Sequence, residues 1–398
     1  MRLMRILHII GTLDPAAGGP SESVRVLLSF GPIGYTGEVV TLDSPDNTFY
    51  QDIPFPVHAL GPNKTTYGFN KKLYSWLRDN RDRFDGVVVN GLWQYCGLAA
   101  WLALRGRKPY VVFSHGMLDP YFKHAFPMKH AKKWLYWLAA EYWVLRDAYR
   151  VLFTTKEESR LAEQSFWLHK WHGLVVPYGA DRPPKDGDTL CEAFFGQFPE
   201  MRGKRFMLFL GRIHRKKGCD LLIRAFAKHA AQDPDLHLMM AGPDQQAWSA
   251  GLKEIVAAAG LNNRVHWPGM IKGDAKWGAF FASEVFILPS HQENFGIAVA
   301  ESLGCGRPVL LCDKVNIAPE IAEDKAGLME IDTQEGTDNL VRKWMEMSVP
   351  EREAMGRQAL NTFNTRYDMK KNAVTIIRLF ENATATRQKP TATSLLRK

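Results

Sequence analysis

The residues best placed for chemistry lie in the segment 289–304, directly after the apolar run 285–288. Two glutamates, Glu293 and Glu301, stand eight residues apart there, on either side of a glycine that can open a helix. In an open α/β sheet, ligands bind at the carboxyl ends of strands, and helix N-termini at that edge favour anions. We therefore expect Glu293 to bind a ligand hydroxyl, beside four backbone amides that face a phosphate or sugar, those of Asn294, Phe295, Gly296 and Ile297.

The spacing of the two glutamates excludes one familiar use of paired carboxylates. If Glu301 lies on a helix, it sits about 12 Å further along and roughly 80° round from Glu293. That is too far for the ~5–5.5 Å acid and nucleophile pair of a retaining glycosidase. We expect the pair to bind hydroxyls at opposite ends of one elongated ligand. The alternative is a surface helix with two solvated glutamates.

A second segment runs from the buried-strand pattern 206–210 into the basic turn Gly211–Gly218. Arg212 offers a planar fork and Lys217 a mobile point charge, the usual pair for a diphosphate. A basic turn alone is most often a solvated loop. Here it follows the first strand of a domain, about eighty residues before the acidic helix start, which favours a shared ligand site.

Together the two segments resemble the signatures G-R-x4-K-G and E-x7-E of retaining glycosyltransferases of GT-B fold, family 4 ("glycosyl transferases group 1"), of the bacterial polysaccharide-biosynthesis type. The resemblance extends over nearly the whole chain. It implies an α/β protein with two Rossmann-like domains facing each other across a cleft, and a C-terminal helix that crosses back to the first domain. It also implies a nucleoside diphosphate sugar as co-substrate.

Under that resemblance, each site residue of the second domain has a role. Arg212 and Lys217 bind the diphosphate, and Glu301 binds the ribose. Glu293, expected to be catalytic, binds the transferred sugar together with the amides 294–297. No carboxylate is placed as a nucleophile, so we expect front-face attack by the acceptor hydroxyl, with cationic groups stabilising the departing phosphate.

The first half of the chain has two further candidates. Gly18 and Gly19 follow the first strand pattern, where paired glycines let a backbone approach a ligand closely, although an ordinary turn is the alternative. The next helix is expected at 21–30 with Ser21 as its N-cap. His115 ends a strand, and a lone histidine there is more often structural. The resemblance instead places His115 beside the transferred sugar, as a hydrogen-bond partner or a stabiliser of developing charge, whereas His8 is interpreted as structural.

Length and composition limit the number of domains, the kinds of partner and the location of the protein. A chain of 398 residues fits two domains of about 200 each. The net charge of +9 suggests an anionic partner, without choosing among nucleic acid, membrane and nucleotide-sugar. No apolar run approaches the ~20 residues of a spanning helix, and the start is too short for a signal peptide. Five cysteines without C-x-x-C spacing indicate free thiols, so we expect a cytoplasmic protein. If it engages the membrane, we expect it to be peripheral on the inner face.

Alternating strand and helix patterns give the expected domain boundaries. An acceptor-binding domain is predicted at 1–180 and a donor-binding domain at 206–368. Between them, residues 181–205 are rich in proline, glycine and charge and are interpreted as a linker. A crossover helix is predicted at 369–384, followed by a disordered tail at 385–398.

Two D-x-D triplets could in principle hold a metal ion, Asp186–Asp188 and Asp233–Asp235. A chelating triplet should end a strand at the nucleotide site. The first triplet lies in the predicted linker and the second in a helix-to-strand turn that contains proline. We therefore predict no metal and no other cofactor.

The segment Tyr121–Arg150 combines a net charge of +4 with interleaved aromatic residues, among them Trp134, Tyr136, Trp137, Tyr142 and Trp143. Aromatic residues with lysines fit a surface that meets an anionic bilayer, consistent with a glycan or isoprenoid-linked acceptor. The alternative is a long helix that packs its aromatics inward and leaves a basic edge in solvent. No nucleic-acid-binding motif accompanies the segment, so nucleic acid is not expected as a partner.

Other functions compatible with the same fold remain alternatives. A GT-B nucleotide-sugar epimerase or phosphorylase would share the donor residues but would need no second sugar acceptor. A non-catalytic member of a glycan-assembly complex would be expected to lack Arg212, Lys217 or one glutamate of the pair, and none is missing.

Overall fold

The computed structural model describes residues 3–29, 35–51, 53–63, 65–244 and 247–388. The chain divides into two compact units, each an α/β domain around one parallel sheet. The first contains the chain up to Tyr178 and again from Met369 onward, and the second is the continuous stretch Gly179–Asp368. Most of the predicted disordered tail, residues 389–398, lies outside the described residues.

The first unit has a seven-stranded parallel sheet in the order β3-β2-β1-β4-β5-β6-β7. Its strands are β1 (Met4–Ile10), β2 (Tyr35–Thr41), β3 (Val57–Ala59), β4 (Gly86–Asn90), β5 (Tyr110–Phe113), β6 (Arg150–Phe153) and β7 (Gly173–Val175). Its helices are α1 (Gly19–Ser29), α2 (Lys71–Asn80), α3 (Tyr95–Leu104), α4 (Tyr121–Ala125), α5 (Pro127–Tyr136), α6 (Tyr142–Asp147), α7 (Lys156–Ala162) and α16 (Met369–Gln388). Such an order places helices on both faces of the sheet.

The second unit has a six-stranded parallel sheet in the order β10-β9-β8-β11-β12-β13. Its strands are β8 (Arg205–Leu210), β9 (Leu236–Ala241), β10 (Val265–Gly269), β11 (Val285–Leu288), β12 (Val309–Cys312) and β13 (Gly327–Glu330). Its helices are α8 (Gly187–Gln197), α9 (Cys219–His229), α10 (Ser249–Ala258), α11 (Gly273–Ala282), α12 (Ile297–Gly304), α13 (Ala318–Glu323), α14 (Gln334–Glu346) and α15 (Val349–Thr362).

The predicted linker at 181–205 differs from what the structure shows. Its central part, Gly187–Gln197, is helix α8, which packs against α11 inside the second unit. Leu190 and Phe194, one helical turn apart, are buried in that contact. The approach is so close that a Cβ on Gly278 would lie 2.0 Å from the carbonyl oxygen of Leu190. The surrounding prolines, glycines and charges concealed this short apolar stripe in the sequence.

The last helix belongs to the first unit, and it continues to Gln388, four residues beyond its predicted end. Asn372 donates a hydrogen bond of 3.0 Å from its side-chain amide to the carbonyl oxygen of Tyr178. Phe380 is fully buried, and a Cβ on Gly86 would lie 2.1 Å from its ring. The start of β4 is therefore covered by this helix. None of the described helices is long and apolar enough to span a bilayer.

Glu141 is a buried carboxyl in the first unit, at the end of a π-helical turn between α5 and α6. One of its oxygens accepts a hydrogen bond of 3.2 Å from the backbone amide of Trp93, and the other has no hydrogen-bond partner in the described part of the chain. Burial raises the pKa of Glu141 to about 8, against weaker opposing effects of the Trp93 amide and the charge of Lys133. The carboxyl is therefore largely protonated at neutral pH.

We predict that Glu141→Gln stabilises the protein progressively as pH rises from about 5 to 8. The folded pKa lies above the ordinary value of 4.5, so the wild type loses stability as pH rises through this range, whereas an amide does not titrate. The gain at pH 8 should be on the order of a few kcal/mol. Urea denaturation at several pH values measures it, with exposed Glu163→Gln as control. Equal stability of wild type and Glu141→Gln at pH 8 would contradict the prediction.

Candidate functional site

The candidate site of the second unit lies where the strand order reverses, beside β8 and β11. Loops that leave adjacent parallel strands on opposite sides of such a point open a crevice at the carboxyl edge of the sheet. The turn 211–218 leaves β8, and the loop 289–296 leaves β11. Both segments singled out by the sequence therefore meet at this crevice.

The basic turn is fixed by its last glycine. Gly218 has φ +66°, and a Cβ there would lie 1.8 Å from the carbonyl oxygen of Pro289. Only glycine allows both this conformation and this approach. The carbonyl oxygen of Lys216 accepts hydrogen bonds of 2.9 Å from the amide of His291 and 2.9 Å from the hydroxyl of Ser290. These contacts tie the turn after β8 to the loop after β11.

Lys217 and Glu293 form an ion pair across that junction. The backbone of Glu293 is held independently, because its amide donates to the carbonyl oxygen of Lys314 at 2.9 Å and its carbonyl accepts from the amide of Asn316 at 3.1 Å. Burial by itself would raise the pKa of Glu293, but the charge and hydrogen bond of Lys217, with smaller effects of Lys216 and Arg212, hold that pKa below its ordinary value. Glu293 is therefore a carboxylate at neutral pH.

Arg212, the other expected diphosphate ligand, is exposed. Its guanidinium makes no hydrogen bond or ion pair with the residues that the structure describes. It contributes positive charge at Glu293, which places it near the same crevice. Its side chain is thus available to a ligand, whereas the ammonium of Lys217 is shared with a carboxylate.

The acidic loop passes into α12 through Gly296, which has φ +77° and occupies the N-cap position. Phe295 is buried and packs edge-on against Tyr367, with 5.7 Å between ring centroids. The Asn294 side chain accepts a hydrogen bond of 3.3 Å from Asn316. The first amides of a helix have no acceptor within the helix, so the turn at Ile297 presents donors at the crevice.

Glu301 lies on α12, almost fully buried, and does not share the partner of Glu293. It forms an ion pair of 2.6 Å with Lys276 of α11. The two glutamates therefore occupy separate positions, as their spacing predicts. Sequence reasoning missed Lys276, because nothing in the local pattern of α11 sets it apart from a solvated lysine.

In the first unit, His115 follows β5 in a loop that one carboxylate organises. Buried Glu158 accepts hydrogen bonds of 2.6 Å from the hydroxyl of Ser114 and 2.7 Å from the amide of Gly116. It also accepts from the amide and hydroxyl of Thr154, each at 2.7 Å. These bonds hold His115 at φ +48°, in the left-handed region that non-glycine residues seldom occupy.

The His115 imidazole lies parallel to the ring of Phe113, with 4.5 Å between centroids. Its Nε2 lies 3.3 Å from the side-chain oxygen of Asn90, whose amide nitrogen lies 3.5 Å from Nδ1 of His8. Burial lowers the pKa of His115 to about 3, so the ring is neutral at physiological pH. Since Asn90 offers an acceptor, we assign the proton of His115 to Nε2.

His8 is completely buried on β1, which agrees with its interpretation as structural. Asn90, which links the two histidines, was missed in the sequence. A signal for it existed, because it is a polar residue at the carboxyl end of the otherwise apolar strand β4. Glu158 had no comparable signal, since it lies in an ordinary acidic first turn of α7.

The glycine loop after β1 differs from the prediction in one respect. Helix α1 begins at Gly19, so Ser21 is inside it rather than at its N-cap, and the Ser21 hydroxyl donates to the carbonyl oxygen of Thr12 at 2.9 Å. Gly18 has φ +96°, and both glycines are exposed with no atom within 4 Å of an added Cβ. A ligand therefore has room to contact the protein backbone at Gly18 and Gly19.

Both D-x-D triplets contain an aspartate with a structural contact. Asp186 caps α8, accepting from the amide of Thr189 at 3.1 Å and from its hydroxyl at 2.6 Å. Asp233 forms an ion pair of 3.2 Å with Arg205. One aspartate of each triplet is thus engaged in a contact within the protein, and the absence of a metal stays a prediction.

The segment Tyr121–Arg150 packs most of its aromatic side chains inward. Trp137 is fully buried and stacks on Phe166 at 4.2 Å between centroids. The other phenylalanine, tyrosine and tryptophan side chains of the segment are partly buried except Phe126 and Trp143, which are 45% and 36% exposed. The most exposed apolar side chains of the segment are Met128 and Leu135, at 75% and 76%. The inward packing that the alternative described is thus correct for most of the aromatics, but the exposed face is not simply basic.

Beside those aliphatic residues lie further apolar and basic groups. Leu138 and Trp167 are 51% and 81% exposed, and Trp167 packs on Trp134, with 5.5 Å between centroids. Lys129 and Lys132 are exposed on α5. We call this set, residues Met128, Lys129, Lys132, Leu135, Leu138 and Trp167, the α5 surface.

Two protein families match the two halves of the chain. Residues 33–179 match the family described as Glycosyl transferase 4-like domain, and residues 192–362 match Glycosyl transferases group 1. The chain carries the two domains of these glycosyltransferases. The resemblance seen in the basic turn and the acidic helix start is therefore confirmed at the level of the family.

Relatives of known name match only part of the chain. The D-inositol 3-phosphate glycosyltransferase of Arthrobacter sp. (strain FB24) is 31% identical over 129 residues, 32% of this chain and 31% of the relative. The mannosylfructose-phosphate synthase of Agrobacterium fabrum (strain C58) is 29% identical over 179 residues, 42% of this chain and 38% of the relative. The matched segments thus span less than half the length of these relatives.

Similarity among solved structures extends over almost the whole chain. Anabaena HepE in complex with UDP and glucose superposes with a TM-score of 0.75 at 18% identity, covering 95% of this chain and 100% of that one. Sucrose-phosphate synthase from Thermosynechococcus elongatus gives a TM-score of 0.73 at 20% identity, covering 96% and 100%. At such identities the likeness shows the fold, and the expected GT-B class is confirmed.

We predict that Lys217→Ala destabilises the second domain by roughly 1–3 kcal/mol at pH 7, because it leaves the Glu293 carboxylate buried without its cation. The loss should shrink as pH falls below the ordinary value of 4.5, where the carboxyl is protonated. Denaturant unfolding at pH 7 and pH 4 measures both effects.

A double-mutant cycle isolates the ion pair from other effects of the substitution. Lys217→Ala combined with Glu293→Gln should recover most of the lost stability at pH 7, because no buried charge remains. If the double variant is no more stable than Lys217→Ala alone, the two residues are not coupled and the prediction is wrong.

Proposed function

We propose that the chain is a retaining glycosyltransferase that moves a sugar from a nucleoside diphosphate sugar to the hydroxyl of an acceptor. The observation that carries the proposal is the junction of Lys217 with Glu293 beside the N-terminus of α12, in a domain that matches Glycosyl transferases group 1. Cationic groups, a carboxylate and helix amides converge there at the carboxyl edge of the sheet.

Each group has a role in donor binding under this proposal. Arg212 and Lys217 bind the diphosphate, Glu301 binds the ribose, and Glu293 with the amides of residues 294–297 binds the sugar. As the bond to the sugar breaks, negative charge grows on the phosphate, and the two cations stabilise it more than they stabilise the intact donor. The acceptor hydroxyl attacks on the same face and loses its proton to the departing phosphate, so the anomeric configuration is retained.

The first domain supplies Gly18, Gly19 and His115. A neutral His115, held by Asn90 and by the loop around Glu158, favours a hydrogen bond to the sugar over stabilisation of charge as a cation. We propose a reaction without a metal ion, consistent with the structural contacts of Asp186 and Asp233.

For the acceptor we propose a glycan or isoprenoid-linked glycan at an anionic membrane, in cell-surface polysaccharide biosynthesis at the cytoplasmic face. The α5 surface supports this choice, because it sets exposed aliphatic side chains beside exposed lysines. Exposed apolar groups gain by entering the boundary of a bilayer, and the lysines gain from its anionic headgroups.

A soluble phosphorylated acceptor is the second candidate. It is favoured by the names of the relatives, which include enzymes for D-inositol 3-phosphate and a mannosylfructose-phosphate synthase. An experiment can distinguish the two acceptor classes, because only the membrane-bound glycan acceptor requires a lipid phase.

The decisive experiment is product analysis. The protein is incubated in EDTA with UDP-, GDP- and ADP-sugars and with lipid-linked or phosphorylated acceptors, and the new linkage is assigned by NMR. We expect one donor to give a glycoside with the donor's anomeric configuration. A product of inverted configuration would overturn the retaining mechanism. A product formed without acceptor would overturn the transfer reaction. Turnover only after Mg²⁺ or Mn²⁺ is restored would overturn the absence of a metal.

We predict that Arg212→Ala weakens binding of the donor's nucleoside diphosphate roughly 10- to 150-fold, because it removes a charge-assisted bond of about 1.5–3 kcal/mol. The melting temperature should not change, since Arg212 is exposed and bonds to no residue in the described part of the chain. Calorimetric titration with UDP, GDP and ADP measures the affinity. Exposed Arg378→Ala, on α16, is the control, and equal affinity in both variants would remove Arg212 from the site.

We predict that Lys129→Glu with Lys132→Glu releases the protein from anionic liposomes, about 30-fold or more at low salt, since each lysine near such a surface contributes about 1 kcal/mol. Lys71→Glu with Lys72→Glu, an exposed pair on α2, serves as the matched control. Co-sedimentation with vesicles of anionic and neutral lipid provides the measurement. Wild-type protein that stays in the supernatant would favour the soluble acceptor.

A further inference from the structure

A cavity of about 870 Å³ lies in the second unit at the opposite edge of the sheet from Lys217 and Glu293. Arg205, the first residue of β8, and Glu284, which directly precedes β11, both line it. Since parallel strands rise about 3.3 Å per residue, the six-residue β8 separates the cavity from the candidate donor site by about 20 Å. The cavity is therefore a separate place in the same domain.

Four arginines line the cavity, and two of them are paired with carboxylates. Arg205 and Arg352 both contact Glu284, at 2.5 and 3.3 Å. Arg307 and Arg357 form no ion pair with the residues that the structure describes. Arg357 is exposed on α15, so its guanidinium is open to a ligand. The lining also contains Asp233 and Glu353, so four arginines and three carboxylates leave one positive charge in excess.

Three buried hydrogen-bond donors belong to residues that line the cavity. The Nε of Arg307, the Nε of Arg352 and the indole nitrogen of Trp344 are buried, and among the described residues none of the three has a hydrogen-bond acceptor. Trp344 is only 1% exposed. A buried donor without an acceptor lowers stability by about 1–3 kcal/mol. Three such donors in one wall therefore favour a ligand that carries hydrogen-bond acceptors.

The remaining lining is apolar, contributed by Met347, Val349 and Leu360 among others. Pockets for small organic ligands have volumes of about 300–1,000 Å³ and combine apolar walls with a few polar groups. The size and lining therefore fit an organic molecule with an anionic group better than they fit a bare ion.

We propose that this cavity is a second ligand site, which binds a small organic phosphate independently of the sugar donor. A phosphate group accepts hydrogen bonds only, and its oxygens match the fork of a guanidinium. Arg357 meets the phosphate, the buried donors of Arg307 and Trp344 add positive potential behind it, and the apolar residues contact the organic part.

Direct binding tests the site without reference to catalysis. Calorimetric titration uses glucose 6-phosphate, AMP, 3-phosphoglycerate and inorganic phosphate, with glucose as the uncharged probe. We expect saturable binding of at least one organic phosphate, tighter than inorganic phosphate, and none of glucose. Absence of binding by every organic phosphate, or equal binding of inorganic phosphate, would overturn the proposal.

Variants of exposed residues locate the site without endangering the fold. Arg357→Ala should weaken binding about tenfold or more, and Glu353→Gln, which removes a carboxylate from the lining, should tighten it. Arg378→Ala and Arg212→Ala should leave the affinity unchanged. If Arg357→Ala leaves binding intact, the phosphate occupies another site and the proposal is wrong, whereas the proposed transferase function is untouched.

Discussion

The backbone contact between Gly218 and Pro289 is the constraint on which the candidate donor site depends. It sets two loops from neighbouring parallel strands against each other at the point where the strand order reverses. The contacts that join the two loops depend on that approach. Lys216 can accept two hydrogen bonds from the loop after β11, and Lys217 can reach Glu293, because the glycine has no side chain to hold the loops apart.

The first domain reaches a similar result by a different device. There a single buried carboxylate, Glu158, gathers the hydrogen-bond donors of two successive loops and so positions His115. Burial then keeps the imidazole neutral. The second domain thus presents charged groups at the carboxyl edge of its sheet, and the first presents a neutral ring and exposed glycine backbone.

The apolar runs 206–210 and 285–288 correctly predicted β8 and β11, because buried strands of a parallel sheet are continuous apolar runs. Strands β3 and β13 lie at sheet edges and are only partly buried, so their sequences give a weaker signal. Sequence reasoning failed on features that depend on tertiary contacts: helix α8, which lies among prolines and glycines, and Lys276, whose ion-pair partner is on another helix. Motif residues such as Lys217 were accessible because their loop geometry is local, whereas Asn90 and Glu158 act between segments far apart in the chain.

The position of α16 has a consequence for the order in which the protein can be made. The second domain is one continuous stretch, Gly179–Asp368, inserted between the two parts of the first. The second domain therefore emerges from the ribosome before the helix whose Phe380 covers Gly86. Until then the apolar surface at the start of β4 remains uncovered. The first domain, although its synthesis begins earlier, therefore completes its folding after the second.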